Sequence, residues 1–92
     1  MIRKYVKKPV IIEAIQCTGS NFDEVKEFCG DNLICVKLHE NFIDGWYIDT
    51  LEGHSYLLSE GDYVIKGIKG EFYPCKEDVF ELTYEEIINE TN

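Results

Sequence analysis

Glycines at positions 45, 53, 61, 67 and 70 cut the second half of this 92-residue chain into short runs of strand-forming residues. The runs are 33–38, 46–50, 54–58, 63–66 and 71–73. Each is rich in β-branched or aromatic side chains, which suit a pleated, half-buried surface. Glycine turns recurring about every eight residues between such runs indicate an antiparallel meander.

The first half adds two elements. Residues 4–16 carry Val6, Val10, Ile11, Ile12 and Ile15 and read as a strand. Pro9 has no N–H for a ladder, so this strand belongs at an edge or is bulged there. Ser20-Asn21-Phe22-Asp23-Glu24 reads as a helix start, with Asn21 and Glu24 close to a capping box and two acids in the first turn. Phe22, Val25, Phe28 and Cys29 follow at helical spacing and Gly30 supplies a stop, which predicts a helix over about 22–29. Residues 74–78 read as a turn or one helical turn. Residues 80–87 read as a last strand with Phe80, Leu82 and Tyr84 on one face. The expected fold is α+β, a single domain over 1–92. It is a strongly curved antiparallel sheet or small partial β-barrel with one short helix packed on it. A chain of this length predicts a radius of gyration of roughly 12 Å.

Charge narrows the partners. Nine basic and eighteen acidic residues give a net of −9, but the first eight residues hold Arg3, Lys4, Lys7 and Lys8 and no acid. The other 84 therefore carry five lysines against eighteen acids, a net of −13. Such a body repels duplex nucleic acid, whose binding requires several phosphates to be neutralised together. A small anionic ligand needs only two or three lysines and some backbone N–H groups. No apolar run approaches the ~20 residues of a membrane span. The basic start resembles a signal-peptide n-region, but Glu13 interrupts the apolar residues 10–12 and no cleavage site follows. The chain reads as cytoplasmic, with Cys17, Cys29, Cys35 and Cys75 reduced and no CxxC pair among them.

Motifs for chemistry are sparse. His39 and His54 have no ligand-spaced partners, no carboxylate pair stands out, and residues 67–70 form a lone GxxG that reads as a turn. No cofactor and no metal are expected. Cys75, between Pro74 and Lys76, is the one thiol in a polar setting. A lowered pKa there would make it a nucleophile, and a packing role is the simpler reading. Trp46, Tyr47, Tyr56, Tyr63, Phe72 and Tyr73 lie on the meander. Most must fill the core, and alternation turns some outward. An outward aromatic near Lys66, Lys69 or Lys76 would stack a base and pair a phosphate. The amino-terminal lysines read as gatekeepers of an exposed edge strand, or as groups reaching a ligand or the acidic tail of a second copy.

Three stretches carry a resemblance. One is Lys4-Tyr5-Val6-Lys7-Lys8-Pro9-Val10-Ile11-Ile12-Glu13-Ala14-Ile15-Gln16. The second joins Thr50-Leu51-Glu52-Gly53-His54 to Glu60-Gly61-Asp62-Tyr63-Val64-Ile65-Lys66-Gly67. The third is Lys69-Gly70-Glu71-Phe72-Tyr73-Pro74-Cys75-Lys76-Glu77-Asp78-Val79-Phe80-Glu81. Together they resemble a family of small phage and prophage proteins, the PGDYG-like phage proteins. In the namesake motif Glu60 stands for the proline and Val64 for the final glycine. The resemblance implies a phage or prophage origin and a bacterial cytoplasmic setting, and it brings no catalytic residues.

Two functions follow as expectations. The first is a non-enzymatic protein that sequesters a small anionic, nucleotide-like ligand, a host immune signal, to counter host defence. Its candidate residues are Lys66, Lys69, Tyr73 and Lys76, with Arg3 and Trp46 as outer members. A site between copies encloses a ligand better than so small a monomer can, so a homo-oligomer is expected. The second is an acidic inhibitor or DNA mimic that covers a basic surface of a host defence protein.

Overall fold

The computed structural model describes residues 1–39 and 42–88. In chain order the elements are β1 (Glu13–Gln16), α1 (Phe22–Cys29), a 3₁₀ turn (Gly30–Asn32), β2 (Leu33–His39), β3 (Phe42–Asp49), β4 (Ser55–Leu58), β5 (Tyr63–Lys66), β6 (Phe72–Cys75) and α2 (Glu77–Thr83). The chain is α+β, as its sequence predicts. The strands form two separate antiparallel sheets, ordered β1-β5-β6 and β2-β3-β4, and neither closes into a barrel.

Glycine sets the tightest hairpins. Gly53, at φ +81°, donates to the Thr50 carbonyl at 3.0 Å between β3 and β4. Gly70, at φ +79°, donates to the Gly67 carbonyl at 3.0 Å between β5 and β6. An L side chain avoids that region, so glycine makes both turns accessible without strain.

The predicted first strand is shortened. Only Glu13–Gln16 pairs, with Glu13 opposite Lys66 and Gln16 opposite Tyr63. Residue 12 would fall opposite Gly67, where β5 already turns toward β6. Pro9 instead sits at the centre of a three-residue turn closed by Val10 N–H and the Lys8 carbonyl at 2.9 Å. Residues 1–11 are exposed. The radius of gyration is 15.2 Å, above the roughly 12 Å of a compact chain this long.

α1 has the predicted bounds, but its start is held differently. Asn21 does not cap it with its side chain. Its Oδ1 accepts from Thr18 N–H at 2.9 Å and its Nδ2 donates to the Gln16 carbonyl at 2.8 Å, which fastens the turn from β1 into the helix. α1 then packs on both sheets. Val25 and Cys29 join Leu33, Ile48 and Leu58 from one sheet, Val64 and Phe72 from the other, and Cys17 in one buried cluster. Phe22 meets Trp46 edge-on at 5.3 Å between ring centroids, and Phe28 meets Phe72 at 5.5 Å.

The predicted last strand over 80–87 is instead α2 followed by an extended segment. Two acids open this helix, where they complement its dipole. Phe80 and Tyr84, four residues apart, face inward together while Leu82 is 89% exposed. A strand would put all three on one face, so the period of the pattern, rather than its apolar content, separates strand from helix here. Among the described residues no helix is long and apolar enough to cross a membrane.

Candidate binding groove

β5 is buried on both faces, with Val64 at 0% and Ile65 at 1% exposure. Val64 belongs to the cluster around α1, so alternation turns Tyr63 and Ile65 to the opposite face. In register beside them on β6 are Cys75 and Tyr73. α2 covers this second face with aromatic rings. Tyr63 and Phe80 stack at 3.8 Å with planes 7° apart, and Phe80 and Tyr84 follow at 4.9 Å and 29°. Burial, followed by the nearby Tyr84 hydroxyl, pushes the Tyr73 hydroxyl up to about 12. Burial, and then Glu81, Glu77 and Glu86, also raise the Tyr63 hydroxyl.

The amino-terminal arm completes the site. Lys7 Nζ lies 3.9 Å from the Tyr84 ring centroid and hydrogen-bonds its hydroxyl. Between residues 7–15 on one side and Tyr63, Phe80, Tyr84 and residues 85–87 on the other runs a groove of about 910 Å³, with Phe28 also in its wall. Small-molecule pockets span about 300–1,000 Å³, so this volume suits a ligand. Lys7 and Lys8 stand on the arm side, and Glu85 and Glu86 opposite.

The connection into β5 is a structural knot. Asp62, 5% exposed, accepts from Ser59 N–H at 2.8 Å and from Lys76 Nζ at 3.2 Å, both on Oδ2. Its carbonyl accepts from Cys17 N–H at 2.7 Å, while Gly61 N–H reaches the Cys17 carbonyl at 2.7 Å. Gln16 Nε2 ties the same turn to Glu77 at 3.1 Å. The Gly61-Asp62-Tyr63 part of the motif thus fixes the chain where β1, β5 and α2 meet.

The residues predicted to bind the ligand are not gathered. Lys66 lies opposite Phe72 and so shares its face of the sheet, whereas Tyr73 lies opposite Ile65 and takes the other. Lys69 is exposed at the tip of the β5–β6 turn. Lys76 is engaged by Asp62. Arg3 is exposed on the arm. Trp46 packs on Phe22 and lines a separate cavity of about 320 Å³ with Cys17, Leu58, Ser59 and Glu60, none of which touches the groove. None of these six lines the groove, and Tyr73 lies next to Tyr84, which does.

Cys75, Cys17 and Cys29 are held above the ordinary thiol range. Burial and then Asp78 raise the Cys75 pKa, against a smaller lowering by Lys7, the reverse of what its sequence neighbours imply. Burial, and then Asp62, push Cys17 to about 11. Cys29 reaches about 11 through burial and Cys17, with Lys26 opposing. His54 lies edge-on to Tyr56 at 6.3 Å, and the His39 side chain falls outside the described residues. Among the described residues no three His, Cys, Asp or Glu side chains are placed to hold a metal ion.

A strand over 80–87 does not bring Phe80 and Tyr84 together at the groove, whereas the helix does. Their four-residue spacing behind a pair of acids was the available signal. The chain matches no protein-family model, and neither curated proteins nor solved structures yield a match to it.

Proposed function

We propose that this protein is a non-enzymatic binding protein whose groove takes a small planar, anionic ligand of the nucleotide class. The observation that carries this reading is the junction of a stacked aromatic series with two lysines along one 910 Å³ groove. Lys7 covers the open face of Tyr84 in the free protein. A base stacking there would displace the ammonium toward the phosphate, so the same side chain serves both states. One stacked base contributes ~1–3 kcal/mol, and each lysine–phosphate bond ~1.5–3 kcal/mol. Micromolar affinity is about −8 kcal/mol after the cost of association, so apolar burial against Phe28 and Val10 has to contribute as well. The resemblance to phage proteins supports a host immune nucleotide as the ligand and the bacterial cytoplasm as the setting.

Isothermal titration against mononucleotides and cyclic dinucleotides tests this. Saturable binding that is lost in Tyr84→Ala and Lys7→Ala but kept in Lys66→Ala/Lys69→Ala is the expected result. Absence of binding across the panel, with no adduct retained from a bacterial metabolite extract in native mass spectrometry, removes the reading. The competing reading, an acidic protein inhibitor, draws on the exposed Glu77, Asp78, Glu81, Glu85 and Glu86 along α2 and the segment after it. Loss of function on neutralising those acids, with the groove variants active, would favour it.

A further inference from the structure

The arm extends beyond the groove. Lys7 is tied to Tyr84, but Ile2, Tyr5 and Val6 before it are 99%, 87% and 90% exposed. Apolar side chains left uncovered in one place mark an interaction surface more often than isolated ones do. A second uncovered apolar patch lies on α2 and the segment after it, where Val79 is 51%, Leu82 89% and Ile87 65% exposed. The two patches have opposite surroundings. The arm carries four basic residues and no acid in its first eight positions, and the chain after residue 76 carries six acids and no base.

We infer that residues 1–6 form an exchange arm that docks on α2 of a second copy of this chain. Ile2, Tyr5 and Val6 would meet Val79 and Leu82, while Arg3 and Lys4 face Glu81 and Glu85. Within one copy Val79 and Leu82 of α2 stay exposed. A two-fold arrangement makes the contact twice, because each copy offers both an arm and a receiving face. Charge complementarity sets the pairing, since a basic arm is repelled by another basic arm and attracted to the acidic helix. The inference does not depend on what the groove binds.

Sedimentation equilibrium of the full chain tests it, with circular dichroism confirming that each variant is folded. The wild type should be a dimer at physiological ionic strength, and roughly molar salt should weaken it by about tenfold or more. Arg3→Glu/Lys4→Glu has an acidic arm on an acidic body and should be monomeric. Glu81→Lys/Glu85→Lys places two lysines where Arg3 and Lys4 would dock and should also be monomeric. An equimolar mixture of the two should restore a dimer, now a heterodimer with both contacts complementary. A monomeric wild type overturns the inference, as does a dimer that survives either reversal or a mixture that fails to pair. The salt dependence of the wild type decides the matter even where a variant does not fold.

Discussion

The two faces of β5 were built to different rules. Toward α1 the strand offers Val64, and the space is filled by aliphatic groups, thiols and phenylalanine edges drawn from every strand nearby. Toward α2 it offers Tyr63 and Ile65, and the cover is a row of stacked rings ending at Tyr84, held by a lysine from the arm. The first face excludes water and supplies stability. The second is half-open, polar at its rim and joined to the groove.

The largest test of this contrast is truncation on each side. Phe72→Ala should cost ~3–5 kcal/mol in urea unfolding, as expected for a buried aromatic. Tyr84→Ala, at a half-buried ring, should cost less than that, the ~0.5–1.5 kcal/mol of an aromatic pair plus the ring's partial burial, while abolishing binding in the proposed groove. Equal losses would erase the distinction between the faces. Next is the knot at the end of β5. Asp62→Ala leaves the Ser59 N–H without its acceptor and should cost ~1–3 kcal/mol. Asp62→Asn can still accept that bond and forfeits only the pair with the mostly exposed Lys76, ~0–1 kcal/mol. An Asn variant as unstable as the Ala variant would assign the effect to charge instead.

A pH scan reaches both faces, because Cys75, Tyr63 and Tyr73 toward α2 are raised as well, so the α1 contribution is isolated by mutating its two thiols. Cys17 and Cys29 rise from 9.0 to about 11 in the fold, so the native state holds their protons where the unfolded chain releases them. Stability from this source is intact below pH 9 and is lost as pH rises from 9 to 11. Replacing both thiols with alanine should make the alkaline decline in thermal unfolding shallower, and an unchanged decline would exclude them as a source. The smallest stability effect belongs to the arm: Lys7→Met should change unfolding by less than ~1 kcal/mol, since its ring contact is exposed. Its effect on ligand affinity should nevertheless be large, and that divergence sharpens the contrast between holding the fold and holding a ligand.

Much of the architecture was legible because it is written locally. The bounds of α1 and β5 follow from residues within a few positions of one another, and Gly53 and Gly70 announce turns whatever surrounds them. The end of the chain was not legible in the same way. Phe80, Leu82 and Tyr84 fit a strand by alternation and a helix by the four-residue step, and only contact with Tyr63 distinguishes them. The predicted ligand residues failed to converge for a related reason. Neighbours in sequence such as Lys66, Lys69 and Tyr73 are distributed by the hairpin between two faces and a turn tip.

Sequence by itself determined the α+β class, the glycine turns, the amphipathic helix and the split between a basic arm and an acidic body. These depend on intrinsic backbone preference, short-range periodicity and charge, all of which act before the chain is compact. Tertiary structure alone decided that the strands divide into two sheets, that Asp62 is buried as a staple, and that Lys7 meets Tyr84 across 77 positions. Such contacts exist only after α1 has filled the space between the sheets, because β5 then has a second face left to cover.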